Sequence, residues 1–158
     1  GLGTEGFVAR SRWLCYGTRM DDKNFQTGSH TLHRCFYHLV FIPKYRRRVL
    51  QGDVVRRLHE LWYECARVNR WAIHELEILP DHVHMLLQIP ASLAIATAVQ
   101  YLKGGTSHVI RQEYPELREF LWGDSLWQAG YFVETIGRAN EAVIRKYIQS
   151  QWEREQGA

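Results

Sequence analysis

Cysteine is scarce in this sequence and poorly spaced for cross-linking. Cys15, Cys35 and Cys65 are an odd, scattered set without a CxxC pair, which argues against a disulfide framework and a cysteine zinc site. Long apolar runs are missing too. The longest extend over about eight residues before proline or charge breaks them, well short of the roughly 20 that a membrane helix needs. The start "GLGTEG" lacks the basic-then-apolar pattern of a signal peptide, so a cytoplasmic protein with no membrane association is expected. Also absent are HExxH, the HxE with CxxC of zinc deaminases, and a complete Walker A loop, since "LKGGTS" has no Lys followed by Ser or Thr after its second glycine. Charge of one sign is not in strong excess: 20 Lys and Arg stand against 17 Asp and Glu, too small a bias to name a nucleic-acid partner by its sum.

What is present reads as one globular domain, with 46% apolar and 23% charged residues over 158 positions. Residues 1–32 hold no sustained period and are expected to form an N-terminal extension, partly disordered or added, ahead of a domain over 33–158. "CFYHLVFI" (35–42), ended by Pro43, suits a central strand. After Gly52 and Asp53, the spacing of Val54, Leu58, Leu61, Trp62, Cys65 and Val68 predicts an amphipathic helix to about Asn69. "AIHELEIL" and "HVHMLLQI" flank Pro80 and Asp81 as a hairpin. A second helical pattern from Ile95 meets "KGGTS", where two glycines signal either a close backbone approach or a kink. "YFVETI" (131–136) is a fourth strand, and residues 140–155 form a terminal helix with Val143, Ile144, Tyr147, Ile148 and Gln151 on one stripe. The order β-α-β-β-α-β plus a helix predicts an α+β, ferredoxin-like split βαβ fold, with both long helices on one sheet face and the other face open.

Within "HVHMLLQI", alternation sets Val83, Met85, Leu87 and Ile89 on one face and His82, His84, Leu86 and Gln88 on the other. Two imidazoles at i and i+2 lie roughly 6.5–7 Å apart along a strand and can converge on one cation. They can equally be two hydrogen-bonded, partly buried histidines. Tyr147 and Gln151, four apart, share one side of the terminal helix, where a tyrosine serves as either core or nucleophile. "PKYRRRVL" gathers Lys44, Arg46, Arg47 and Arg48 around an aromatic, the composition of a phosphate-contacting patch or of a plain solvated face. Lys103 joins these as a further DNA-contact candidate. "SHTLHRC" (29–35) lacks the partners of a zinc site.

"FYHLVFIPKYRRRVL", "ILPDHVHMLLQIP", "LKGGTSHVIRQEYPEL", "LWGDSLWQAGYFVETIG" and "VIRKYIQSQ" follow one another in an order and at intervals that resemble the single-tyrosine HUH transposases of single-strand insertion sequences, the IS200-like group. The resemblance covers about three-quarters of the chain, residues 33–154. It implies His82 and His84 as metal ligands, Tyr147 as nucleophile and Gln151 as a further ligand from the same helix. It also implies a divalent ion, Mg²⁺ or Mn²⁺, without a nucleotide cofactor, and a 5′-phosphotyrosine intermediate in cutting and rejoining single-stranded DNA. Its implied partners are subterminal DNA hairpins and a second copy of the chain, acting at the nucleoid. The apolar first strand is expected to be the edge that pairs with that copy. An inactive hairpin-binding relative or a replication or relaxase-type nickase are the alternative readings.

Overall fold

The computed structural model describes residues 34–123, 125–136, 145–146, 149–150 and 153–154. Four strands, β1 (Arg34–Phe41), β2 (Ala72–Leu79), β3 (His82–Pro90) and β4 (Phe132–Ile136), form one antiparallel sheet in the order β2-β3-β1-β4. Two helices, α1 (Asp53–Asn69) and α2 (Ile95–Glu113), connect β1 to β2 and β3 to β4. This is the predicted ferredoxin-like arrangement, and the strand bounds fall within one residue of those read from the pattern. The N-terminal extension lies outside the described residues, as does the expected tyrosine helix apart from three helical pairs, 145–146, 149–150 and 153–154.

The core lies between the helices and one face of the sheet. Leu39 and Phe41 of β1 and Val83, Met85, Leu87 and Ile89 of β3 pack with Leu58, Trp62 and Cys65 of α1 and Leu102 and Ile110 of α2. The register explains the shared face: Leu39 pairs with Met85 and Phe41 with Val83 across the ladder, and directly opposed residues point the same way. Trp62 is fully buried and donates its indole N–H to the Leu102 carbonyl at 3.0 Å, tying α1 to α2. Trp127 donates to the Thr106 hydroxyl at 2.9 Å, which fastens the segment before β4 onto α2. A bidentate pair from Arg57 to Glu113, 2.8 and 3.0 Å, clamps the two helices together. Gly52 caps the N-terminus of α1, with a φ of 58° and ψ of −128° that favour a residue without a Cβ.

Four expectations change. β1 is no edge: it runs between β3 and β4, and the sheet's outer strands are β2 and β4. An apolar strand is needed where both neighbours and both faces are occupied, so its composition marks the interior. α2 runs through Gly104 without interruption, and a Cβ there would meet nothing within 4 Å, so no kink and no close contact within the chain calls for that glycine. Val68 is exposed, while Arg57 and Ala66 are buried on α1 in its stead. The histidine face is not bare either. Phe36, Leu86 and Ile136 form a small second cluster there, Arg145 meets His74 at 2.5 Å, and the Gln149 amide donates to Glu75 at 3.3 Å.

Candidate functional site

The two-residue turn Pro80–Asp81 sets the start of β3, and strict alternation then holds His82 and His84 on the face away from the helices. Their ring centroids are 5.0 Å apart with the planes at 84°. Each ring is gripped at Nδ1. His82 Nδ1 lies 2.7 Å from the Asp81 carboxylate, and His84 Nδ1 lies 3.1 Å from Nε2 of His38. Asp81 is held in turn by Arg46, whose Nε donates to it at 3.1 Å. Burial alone would raise the Asp81 carboxyl, but the bonds from His82 and Arg46 outweigh it and the net shift is downward. Asp81 therefore stays ionised, and the hydrogen of that short contact belongs to His82 Nδ1.

Burial is also the main cause that drives the His84 imidazole down to about 4, with His82 and His38 adding like-charge repulsion. His38 is lowered by burial as well, opposed by Glu134. The His84 and His38 rings are thus neutral at physiological pH, the form in which imidazole binds a metal. Glu77 pairs with His84 across β2 and β3. Its carboxyl is raised by burial and then by Glu75. Among the described residues no group of three His, Cys, Asp or Glu is placed to hold a metal ion. The two HxH rings suit part of such a site: His82 has the carboxylate partner that ligating histidines use, and His84 has an imidazole in that place. A third ligand would have to come from elsewhere, and Gln151, like Tyr147, lies outside the described residues.

Sequence reading passed over His38 and Asp81. A lone histidine in "FYHLVFI" sits at the alternate position of its strand, but its nearness to His84 follows from the register, where His38 opposes Leu86 and so lies diagonal to His84. The basic candidates divide. Lys44 donates to the Trp122 carbonyl and lies 5.4 Å from the Tyr45 ring, and Arg46 is committed to Asp81. Arg47 and Arg48 are exposed on the turn. Lys103 donates to the carbonyls of Gln128 and Gly130 at 2.8 and 2.7 Å. With His108, Arg111, Arg118, Trp127 and Tyr131 it lines a groove of about 950 Å³ along α2, apart from the histidines.

The profile of the family described as "Transposase IS200 like" matches residues 31–151. The chain is 39% identical over 119 residues to the ISDra2 transposase TnpA of Deinococcus radiodurans, covering 75% of this chain and 85% of that one. It is 35% identical over 125 residues to the transposase for insertion sequence element IS200 of Salmonella typhimurium, covering 79% and 82%. In structure it is similar to a transposase candidate from Deinococcus radiodurans R1, with a TM-score of 0.64, 32% identity and coverage of 78% and 95%. A REP-associated tyrosine transposase bound to a REP hairpin shares the fold, with a TM-score of 0.52 at 16% identity over 72% of this chain and 61% of that one. No helix among the described residues is long and apolar enough to cross a membrane. The match runs from the first strand through the sequence that holds Tyr147, across both helices and the histidine pair, and on that extent the chain belongs to the IS200-like transposase family, enzymes that cleave DNA and transfer its strands.

Proposed function

We propose that this transposase cuts and rejoins single-stranded DNA at the ends of an insertion sequence through a 5′-phosphotyrosine on Tyr147. The observation that carries the reading is the pair His82 and His84, on one face, each with Nδ1 engaged by a protein partner. His82, His84 and Gln151 would hold one divalent ion, Mg²⁺ or Mn²⁺. Such an ion supplies charge stabilisation for the non-bridging phosphate oxygens and orients the scissile group. The Tyr147 phenol forms the new O–P bond as its proton is lost, and the departing 3′ oxygen takes up a proton to become a 3′ hydroxyl. Rejoining reverses this: a 3′ hydroxyl attacks the same phosphorus and the phenol leaves. The linkage conserves the bond energy, so no nucleotide is consumed.

The catalytic domain is assigned to 33–158, with 1–32 as an extension, and the enzyme works on nucleoid DNA in the cytoplasm. Hairpin DNA is the proposed recognition element, as a distant relative of the same fold was solved on one. Arg47, Arg48 and the groove cations Lys103, Arg111 and Arg118 would meet phosphates. The dimer contact is assigned to β4, an outer strand whose Phe132 and Val133 are exposed apolar residues.

The test is incubation with end-labelled single strands from the flanks of the element and Mg²⁺. A denaturation-resistant adduct that maps to Tyr147 by peptide mass and is absent in Tyr147→Phe supports the reading. An adduct in the Phe variant, or one mapped to Tyr101 or Tyr131, overturns it. Hairpin binding with no cleavage by the wild type would instead identify an inactive hairpin-binding relative.

A further inference from the structure

The metal-site reading uses His82 and His84 and leaves a third histidine of the same face unexplained. His38 is buried at 4% exposure near the middle of β1, between Leu86 on one side and Glu134 on the other. A buried imidazole costs free energy unless both its nitrogens find partners. The contact it makes is specific. Its Nε2 lies 3.1 Å from His84 Nδ1, the planes differ by 12°, and the centroids are 5.3 Å apart. That separation equals the nitrogen–nitrogen distance plus the two ring radii, so the rings lie nearly edge to edge and the bond runs in their common plane. A face-to-face stack of neutral rings would bring the centroids much closer. The arrangement is an N–H···N hydrogen bond in which one imidazole donates and the other accepts.

Which ring donates decides what His84 can do. If His38 donated, the hydrogen of neutral His84 would sit on Nε2, and His84 could accept nothing else through a ring nitrogen. If His84 donates from Nδ1, its Nε2 carries a lone pair. His38 then bears its own hydrogen on Nδ1, and only this arrangement leaves His84 a ring lone pair to offer a cation. The neighbouring ligand candidate shows the same pattern, since His82 gives its Nδ1 hydrogen to Asp81.

We propose that His38 is a positioning residue for His84: it accepts the Nδ1 hydrogen, fixes the ring's tautomer and plane, and leaves Nε2 as the nitrogen that meets the cation. This rests on the metal-site reading for its use, though the tautomer itself is a property of the metal-free protein. His38 does for His84 what Asp81 does for His82, with an imidazole in place of a carboxylate. The two ligands therefore differ in basicity, because a neutral acceptor raises its partner's electron density less than an anionic one.

Long-range ¹H–¹⁵N correlation spectra of the metal-free protein, with His84 assigned, test this directly. The wild type should show the His84 hydrogen on Nδ1. His38→Gln offers an amide oxygen to the same hydrogen and should keep it there, whereas His38→Leu, of similar bulk, should move it to Nε2. Titration with Mn²⁺ alone should show the Leu variant binding about 10- to 100-fold more weakly, with most of that affinity restored in the Gln variant. A wild-type His84 protonated on Nε2, or wild-type Mn²⁺ affinity in His38→Leu, overturns the proposal. Unchanged Mn²⁺ affinity in His84→Ala would sink the metal-site reading instead, and the spectra would still decide the tautomer.

Discussion

The two faces of β3 are built on opposite principles. On one, Val83, Met85, Leu87 and Ile89 are all but fully buried and contribute through volume and area. On the other, His82 and His84 are held through single atoms, one by a carboxylate and one by a second imidazole. A residue on the first face is replaceable by anything apolar of similar size, at a cost that scales with the cavity left. On the second face Leu86 is buried as well, but the two histidines are distinguished by which nitrogen is hydrogen-bonded and to what. One strand thus gives the main core its odd-numbered residues and, beside the buried Leu86, sets two hydrogen-bonded histidines among its even-numbered ones.

Substitutions on the two faces should separate these contributions. The double variant His82→Ala with His84→Ala should lose strand cleavage by on the order of 10³-fold or more, as expected when several kcal/mol of charge stabilisation are removed, and should still bind hairpin DNA and unfold cooperatively. Cleavage near wild-type rate would erase the distinction between the faces. Met85→Ala should destabilise by about 2–5 kcal/mol, seen as a lower thermal midpoint, with the metal dependence of residual cleavage unchanged.

Acid should single out the histidine face. His84 is lowered from 6.5 to about 4 and His38 is lowered too, both chiefly by burial. A base whose folded pKa is depressed takes up its proton more readily when unfolded, so stability is full above the unfolded value and falls with pH toward the folded one. The unfolding midpoint of the metal-free protein should decline between pH 6.5 and about 4. In His84→Leu the decline should be shallower. An equally steep fall in that variant would assign the acid sensitivity elsewhere.

The smallest effect sharpens the comparison at its border, in the turn after β1. Arg47→Ala with Arg48→Ala should lower the salt slope of single-strand binding by about 0.7 for each phosphate that is no longer neutralised. Arg46→Ala should act differently, raising the Mn²⁺ concentration needed for cleavage, since its guanidinium holds Asp81. Identical behaviour of all three arginines would return Arg46 to the DNA-contact set.

Much of this was legible in the residues because it is local. Helix periodicity from Val54 to Cys65, the Pro80–Asp81 turn and the alternation through His82 and His84 depend only on neighbours along the chain. Strand order is another matter. "CFYHLVFI" announces burial, yet its place between β3 and β4 is a choice among pairings far apart in sequence, and the edges fell to β2 and the shorter β4.

The chain's own pattern thus determined the βαββαβ order, the side of β3 on which both histidines stand, and the resemblance that led to the transposase family. Only the tertiary structure decided that His38, 46 positions before His84, lies within hydrogen-bond reach of it, and that Arg46 serves Asp81. The physical reason is that a side chain's facing follows from backbone periods of 2 and 3.6 residues, whereas its partner depends on the register between strands. That register is settled by how the whole core packs.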